Sequence, residues 1–254
     1  MEEKADRRKI PQIAFSVGSI PGVPTSPDGY AETREKRYLG CFISSRKRVR
    51  LPPPILPAYA LKRYGVASQQ QATEHDMTNG KHILIDIGHA RMTGASAHGW
   101  HEHEEMEAFA PVLAEELQAQ GFRTTVLDYP HLSNEADLVA TVKQANRLRP
   151  DFILSLHMDC SENEKARGGH VCYTSAKGER MARCIATYLC EMFPGRAEQV
   201  VKRSGLYVLR KTYAPAVLIE CCFISHEEDM VVFHRHMRMA AKAIAQGVTN
   251  YFTA

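Results

Sequence analysis

The stretch HILIDIGH (82–89) is a six-residue apolar run that ends in glycine and histidine. A short run of this kind is typical of a strand buried in a parallel sheet. Two later stretches have the same form, because FILSLH (152–157) ends in histidine and AVLIE (216–220) ends in glutamate. These three stretches predict the centre of the fold.

Helical patterns separate the strands. Apolar residues spaced by three and four predict a helix over 103–120, in which Pro111 predicts a kink or a later start. Ser133 predicts the cap of a helix that reaches about Arg149, and further helices are expected over 178–193 and 227–252. RTTVLD (123–128), HVCYTS (170–175) and LYVLR (206–210) are predicted strands. The alternation predicts an α/β fold with a mostly parallel twisted sheet of about six strands, covered by helices on both faces.

Residues 1–76 differ in composition from the rest of the chain. They contain 8 of the 13 prolines, and 13 Lys and Arg against 8 Asp and Glu. We expect a basic, proline-rich and poorly ordered extension, followed by a single catalytic domain over 77–254. The basic cluster Arg46–Arg50 is interpreted as solvated linker in preference to a contact with an anionic surface. Met77 precedes the first strand like a natural start, so a further hypothesis is that 1–76 is not translated in the native protein.

The bulk composition excludes several classes of protein. Of 254 residues, 44% are hydrophobic and 24% charged, which is ordinary for a soluble globular chain. No apolar run is long enough for a transmembrane segment, and the N-terminus makes a poor secretory signal. The seven cysteines form no CxxC pair, so we expect a reducing compartment without disulfides. A net charge of +3 is too small to indicate a nucleic-acid partner.

Three polar residues follow three of the predicted strands directly. Ligands of open α/β sheets bind beyond the carboxyl ends of the strands, and His89, His157 and Glu220 stand at such ends. Taken singly, each has a more ordinary interpretation, as a loop residue, a helix cap or an ion-pair partner. Together they indicate a site, because burying such groups is costly without a partner or a metal.

The two histidines indicate a zinc site that needs one more protein ligand. A catalytic zinc usually takes three protein ligands and a water. The segment GWHEHEE (99–105) opens the first predicted helix, where acidic residues also suit the helix dipole. The candidates for the third ligand are His101, Glu102, His103, Glu104 and Glu105.

Three groups of motifs, in this order, resemble a known family. The first group is IDIGH (85–89), GA (94–95) and GWHE (99–102), and the second is SLHMD (155–159). The third is LYVLR (206–210), PAVLIE (215–220), FIS (223–225) and Asp229. The chain resembles the zinc-dependent N-acetylmuramoyl-L-alanine amidases of the amidase-3 type over residues 82–252, and is most similar to the catalytic domains of bacteriophage endolysins. It departs from the pattern at Ala90-Arg91, Cys221-Cys222 and His226.

The resemblance implies a role for each residue of the site. It implies His89, Glu102 and His157 as zinc ligands and Glu220 as the catalytic carboxylate. Arg210 is a further candidate, expected either to bind a peptide carboxylate or the oxyanion, or to form a surface ion pair. Asp86 and Asp159 are expected to orient the imidazoles, with substrate contact as the alternative for Asp159.

The implied activity is zinc-dependent hydrolysis of peptidoglycan, at the amide bond between N-acetylmuramic acid and L-alanine. An endolysin without a signal peptide would accumulate in the cytoplasm until release, whereas a cell-wall remodelling role fits equally well. Three alternatives stay open: a zinc peptidase acting on free peptides, a non-catalytic peptidoglycan-binding module, and an anion-binding loop at Gly88-His89.

Overall fold

A computed structural model describes residues 80–254 and the two-residue strand Phe42–Ile43. Apart from that strand, the extension 1–76, the basic cluster Arg46–Arg50 and the predicted start at Met77 lie outside the described residues. Within the described part, no helix is both long and apolar enough to cross a membrane.

The described residues form short strands and longer helices in alternation. The strands are β1 (Phe42–Ile43), β2 (His82–Ile87), β3 (Ser96–Ala97), β4 (Trp100–His101), β5 (Arg123–Leu127), β6 (Phe152–Asp159), β7 (His170–Tyr173), β8 (Val200–Lys202) and β9 (Ala216–Phe223). The helices are α1 (Glu102–Ala119), α2 (Asn134–Leu148), α3 (Ala176–Met192), α4 (Tyr207–Lys211), α5 (Glu227–Arg235) and α6 (Met237–Thr253).

The main sheet has six strands in the order β5-β2-β6-β9-β7-β8. The first four are parallel, β7 is antiparallel to β9, and β8 is parallel to β7. The predicted mostly parallel sheet of about six strands is therefore confirmed. A second, small sheet joins β1, β3 and β4. Sequence reasoning missed β3, β4 and β8, which have only two or three residues each and too little apolar periodicity to detect.

Helices cover the two faces of the main sheet unequally. Apolar side chains of α1, α3, α5 and α6 form one large core with Ile83, Ile85, Leu154 and Val217 of the central strands. Among the described helices, only α2 and α4 cover the other face, over a small core that includes Leu84, Ile153 and Leu218. We call these the thick face and the thin face. Because side chains alternate along a strand, each central strand contributes to both.

The predicted strand over 206–210 is wrong, since residues 207–211 form the short helix α4. The segment is rich in residues that favour strands, but β9 directly after it already pairs with β6 on one edge and β7 on the other. The segment instead bonds to itself, as the amide of Arg210 donates to the carbonyl of Leu206 at 3.2 Å. Val208 and Leu209 are buried on the thin face. Tertiary packing has overridden local propensity.

The other predicted helices agree with the structure to within a few residues. Ser133 caps α2, and its hydroxyl accepts from the amide of Ala136 at 3.3 Å. Helix α1 begins at Glu102 and continues through Pro111, so the later start is wrong. No disulfide joins the six described cysteines to one another.

Gly247 sets how closely α6 approaches α3. A Cβ at position 247 would lie 2.6 Å from the Cα of Ile185 and 2.8 Å from the carbonyl oxygen of Cys184. These neighbours are helix backbone, which cannot move away alone. The two helices can therefore cross this closely only because residue 247 has no side chain.

We expect Gly247→Ala to destabilise the fold by about 1–3 kcal/mol, the usual cost of overpacking. Alanine gains about 1 kcal/mol over glycine in a helix, but the clash with backbone outweighs that gain. Urea unfolding measures the difference. Gly205→Ala is the control, because no heavy atom lies within 4 Å of its added Cβ. A Gly247→Ala protein as stable as wild type would contradict this account of the crossing.

Candidate metal centre

The thin face of the sheet changes from apolar to polar toward one edge. Leu84, Ile153 and Leu218 belong to the thin-face core, and the next side chains of that face are Asp86, Ser155 and Glu220. His157 follows Ser155 on the same face and is in register with Glu220 on the neighbouring strand. Each of these apolar strands therefore carries polar side chains on the thin face toward its C-terminal end. We call each such set a polar column, and the columns meet at the carboxyl edge of the sheet.

His89, Glu102 and His157 form a compact cluster at this edge. Their ligand atoms all lie within 4.8 Å of one another. Glu102 lies between the rings, with Oε2 3.3 Å from Nε2 of His89 and Oε1 3.0 Å from Nδ1 of His157. The carboxylate also accepts hydrogen bonds from the backbone amides of Ala95, at 2.7 Å, and Met158, at 3.0 Å. The structure thus brings together the three residues predicted as ligands.

Each imidazole is oriented by a partner on its other nitrogen. Nδ1 of His89 lies 3.1 Å from Oδ1 of Asn134, at the start of α2. Because that amide oxygen only accepts, Nδ1 carries a proton, and Nε2 is the nitrogen that faces Glu102. His89 has a positive φ of 66°, and Asn134 holds its ring in place in this uncommon backbone conformation.

A buried relay orients the second ring. Nε2 of His157 donates to Oγ of Ser155 at 3.2 Å, and that hydroxyl donates to Oδ2 of Asp86 at 2.6 Å. Thr141 of α2 donates to the other oxygen of Asp86 at 3.0 Å. Asp86 therefore acts on His157 through Ser155 and not directly. Nδ1 of His157 is left to face Glu102.

Two glycines leave room for the cluster. A Cβ at Gly88 would lie 2.2–2.6 Å from ring atoms of His157. A Cβ at Gly94 would lie 2.7 Å from both Glu102 and His89, and φ there is +85°. Any larger residue at either position would displace a ring or the carboxylate.

The charges of the three cluster residues depend on one another. Burial disfavours a charge on His89, but the Glu102 carboxylate outweighs burial and raises the pKa of His89 to about 9. Burial likewise favours neutral Glu102, yet the two imidazoles hold the pKa of that carboxyl below its usual range. The metal-free cluster therefore keeps a proton that a cation would replace, as is general when metals bind protein ligands.

The other candidates for the third ligand point elsewhere. His101 lies 2.9 Å from the hydroxyl of Ser96, and buried His103 lies 2.9 Å from a carboxylate oxygen of Asp128. Glu105 contacts His234 at 2.7 Å, and Glu104 is exposed. Of the five candidates, the structure places only Glu102 between the two rings.

Glu220 is buried beside the cluster without a hydrogen bond to one of its oxygens. Its side chain lies on β9, in register with His157 on one side and His170 on the other. Oε2 has no hydrogen-bond partner among the described residues. Burial, reinforced by the charges of Asp159 and Glu102, raises the pKa of Glu220 well above its usual value. Such a carboxyl can hold a proton at neutral pH.

Sequence reasoning missed His170 and Arg196, two polar residues beyond Glu220. His170 is buried. Burial, and to a smaller extent the charges of Arg196 and Arg203, lowers the pKa of His170 to about 3, so its imidazole is neutral. Asp159 accepts from Nη1 of Arg196 at 3.0 Å and lies beyond hydrogen-bonding distance of either ligand ring. His170 was missed because β7 runs antiparallel, so its first residue, not its last, lies at the site edge.

Two further predictions are resolved by the backbone. Arg210, predicted at a strand end, is an exposed residue near the end of α4 and is not part of the cluster. The anion-loop alternative is not supported, since the amide of Gly88 donates to the carbonyl of Leu156 at 3.0 Å. It is therefore not available to an anion.

The departures from the family pattern leave the cluster intact. Cys221 and Cys222 are fully buried, and the Cys221 side chain lies in the core of the thick face. His226 caps α5, where its Nδ1 accepts from the amide of Asp229 at 3.3 Å. Ala90 is buried, and Arg91 forms an exposed pair with Glu107.

The donor set fits a divalent metal such as zinc. Two imidazole nitrogens and a carboxylate oxygen form one of the common three-ligand sets of catalytic zinc, in which the fourth position stays open for water. Each imidazole has an orienting partner on its other nitrogen, as metal-ligating histidines almost always do. The two glycines leave space that side chains would otherwise fill.

Comparisons with known proteins agree with this geometry. A family model described as N-acetylmuramoyl-L-alanine amidase, Amidase_3, matches residues 83–250. A probable cell wall amidase, LytH, of Staphylococcus saprophyticus is 26% identical over 177 residues, which are 68% of this chain and 59% of the relative. The N-acetylmuramoyl-L-alanine amidase LytC of Bacillus subtilis is 28% identical over 184 residues, 68% of this chain and 36% of the relative. The chain thus spans less than two thirds of the length of these relatives.

Solved structures show the same fold. The catalytic domain of CD27L endolysin, described as targeting Clostridia Difficile, has a TM-score of 0.63 and 26% identity over 67% of this chain and 97% of that domain. The CwlD amidase of Clostridioides difficile, solved with the GerS lipoprotein, has a TM-score of 0.60 and 20% identity over 68% of this chain and 99% of its own.

We expect Asn134→Ala to weaken Zn²⁺ binding about 10- to 100-fold, the usual cost of losing an orienting partner of a metal ligand. The reason is that Asn134 fixes both the tautomer and the ring position of His89. Competition with a chromophoric chelator measures the dissociation constant. Asn250→Ala is the control, because this residue of α6 bonds to the hydroxyl of Tyr188. Equal zinc affinity in the two variants would remove Asn134 from the site.

We expect Glu220→Gln to stabilise the metal-free protein increasingly as pH rises. The folded pKa of Glu220 is raised, so above the unfolded value of about 4.3 the unfolded chain has lost a proton that the native state keeps. As pH rises through that range, wild type therefore loses the part of its stability that depends on Glu220. The Glu220→Gln protein has no such loss. Urea unfolding from about pH 4 to about pH 7, with chelator, measures the difference. Exposed Glu104→Gln is the control, and a constant difference between Glu220→Gln and wild type would contradict the burial argument.

Proposed function

Because this chain belongs to the N-acetylmuramoyl-L-alanine amidase family of the amidase-3 type, we propose that it hydrolyses peptidoglycan between N-acetylmuramic acid and L-alanine. The cluster of His89, Glu102 and His157, with Glu220 beside it, carries the proposal. A module that only bound peptidoglycan would have no use for a buried carboxyl without a hydrogen-bond partner on Oε2 next to a metal-ligand set.

We propose zinc as the metal, held by Nε2 of His89, a carboxylate oxygen of Glu102 and Nδ1 of His157. When bound, zinc lowers the pKa of a water to roughly 7 and polarises a carbonyl. The two orienting partners, Asn134 and Ser155, keep those nitrogens directed toward the site before the ion arrives.

Glu220 is proposed as the residue that moves the proton. Its register with His157 places it on the neighbouring strand, on the same face as the ligands. It would take a proton from the attacking water and then deliver it to the nitrogen of the leaving L-alanine. The first step needs the ionised carboxylate, which the positive charge of a bound metal would favour. The raised pKa favours the protonated form that the second step needs.

The route to the cell wall and the role of Arg210 stay predictions. Accumulation in the cytoplasm until release depends on the N-terminal part, which lies outside the described residues. The exposed position of Arg210 suits contact with a peptide carboxylate better than a role at the reacting carbonyl.

Purified peptidoglycan tests the proposal. The zinc-loaded protein should release new L-alanine N-termini, detected by amine labelling and mass spectrometry. Glu220→Gln should lose at least about 100-fold of this activity, as expected for loss of a general acid–base, while it keeps its zinc. His157→Ala should lose both zinc and activity.

Two results would overturn the assignment. Cleavage of free peptides without new L-alanine termini in the wall would favour a zinc peptidase. Near wild-type hydrolysis by Glu220→Gln would remove Glu220 from the proton transfer. Arg238→Gln, on the surface of α6, serves as the control for both activity and metal content.

A further inference from the structure

Arg196 is held at the rim of the site by contacts on two sides. Nη1 donates to Oδ2 of Asp159 at 3.0 Å, and the guanidinium lies 5.5 Å from the centre of the Phe223 ring. Asp159 follows His157 by two residues on β6, and Phe223 follows Glu220 by three on β9. The side chain is therefore fixed above the ends of the two strands that carry the reacting residues.

Most of the N–H donors of the Arg196 side chain have no hydrogen-bond partner among the described residues. A guanidinium has five N–H donors. Within residues 80–254, the contact with Asp159 is the hydrogen bond found for this one. The side chain is 25% exposed, so its remaining donors can reach solvent or a ligand. An arginine fixed in this way loses little rotamer entropy on binding a planar anion.

The electrostatic surroundings favour an anion at this place. Arg196 and Arg203 both act on Glu220 and on His170, and both oppose positive charge on His170. His170 is buried and neutral, and Asp159 is the carboxylate that Arg196 contacts. The two guanidinium groups therefore favour negative charge at this edge of the site.

Distances match a carboxylate near the scissile bond. Two residues of strand span roughly 7 Å, so the guanidinium bound to Asp159 stands on the order of 10 Å from His157. In a muramyl peptide, the second residue of the stem has its α-carboxyl within about 7 Å of the scissile nitrogen, since one extended residue spans about 3.5 Å. That α-carboxyl occurs either free or as an amide.

We propose that Arg196 binds the free α-carboxylate of the second stem-peptide residue, and so selects substrates in which it is not amidated. The inference rests on the proposed function. It concerns a positioning contact with substrate and not the chemistry at the amide bond.

Two muramyl tripeptides that differ only in this group, free acid or amide, provide the test. We expect zinc-loaded wild type to have a KM roughly 10- to 100-fold lower for the acid, as for a charge-assisted hydrogen bond. Arg196→Gln should raise KM for the acid to that for the amide and leave kcat unchanged. Arg196→Lys, which keeps the charge without the fork, should lie between.

Calorimetry with the two product tripeptides, which need no hydrolysis to bind, separates the two proposals. Preference for the acid in wild type, lost in Arg196→Gln, supports the subsite even if neither muramyl substrate is cleaved. Absence of cleavage alone then counts against the proposed function.

One control variant and two contrary results complete the test. Arg238→Gln removes the same charge from an exposed site paired with Glu115 and Glu116, and should change neither constant. Equal binding of acid and amide by wild type would overturn the subsite. An equal fall in kcat on both substrates in Arg196→Gln would also overturn it, because the guanidinium would then act at the reacting carbonyl.

Discussion

The buried carboxylate of Glu102 is the interaction on which the rest of the site depends. It accepts two backbone amides and contacts both imidazoles, so it joins the loop after β2, the start of α1 and the end of β6. A charge buried to this degree is tolerable only when each of its oxygens has partners. Those partners are supplied by two stretches of chain apart from its own helix, and so the fold has to be complete before the carboxylate is stable.

Much of this arrangement could be predicted from the sequence, because buried parallel strands are continuous apolar runs and their ends are easy to find. The positions of the three central strands could be predicted from the apolar runs HILIDI, FILSL and AVLI. The residues at the ends of these strands are His89, His157 and Glu220. The helix Tyr207–Lys211 could not be predicted, since its propensity is that of a strand and only the occupied edges of β9 exclude pairing. Glu102 was distinguishable from its neighbours by resemblance alone, because burial within a helix start is not visible in composition.

The residues that sequence reasoning missed share a cause. His170 comes from an antiparallel strand, and Arg196 lies in an irregular segment between α3 and β8. Ser155 and Asn134 are short polar residues with nothing unusual in their sequence context. Their importance comes from which atom they face, and only the register of Ser155 with Asp86, or the start of α2 beside His89, makes that apparent. Chain direction and register are properties of the tertiary structure.

The unequal covering of the sheet separates two requirements that conflict in many enzymes, a large apolar core and a polar active site. The large core under α1, α3, α5 and α6 lies on the face opposite the polar columns. Active sites need buried polar groups that cost folding free energy, and here that cost falls on a face which contributes only a small apolar cluster. Adaptation to a different substrate can therefore proceed by exchanging rim residues of the thin face. Such exchanges leave the thick-face core unchanged, which makes the thin face the place to diversify in a mutant library.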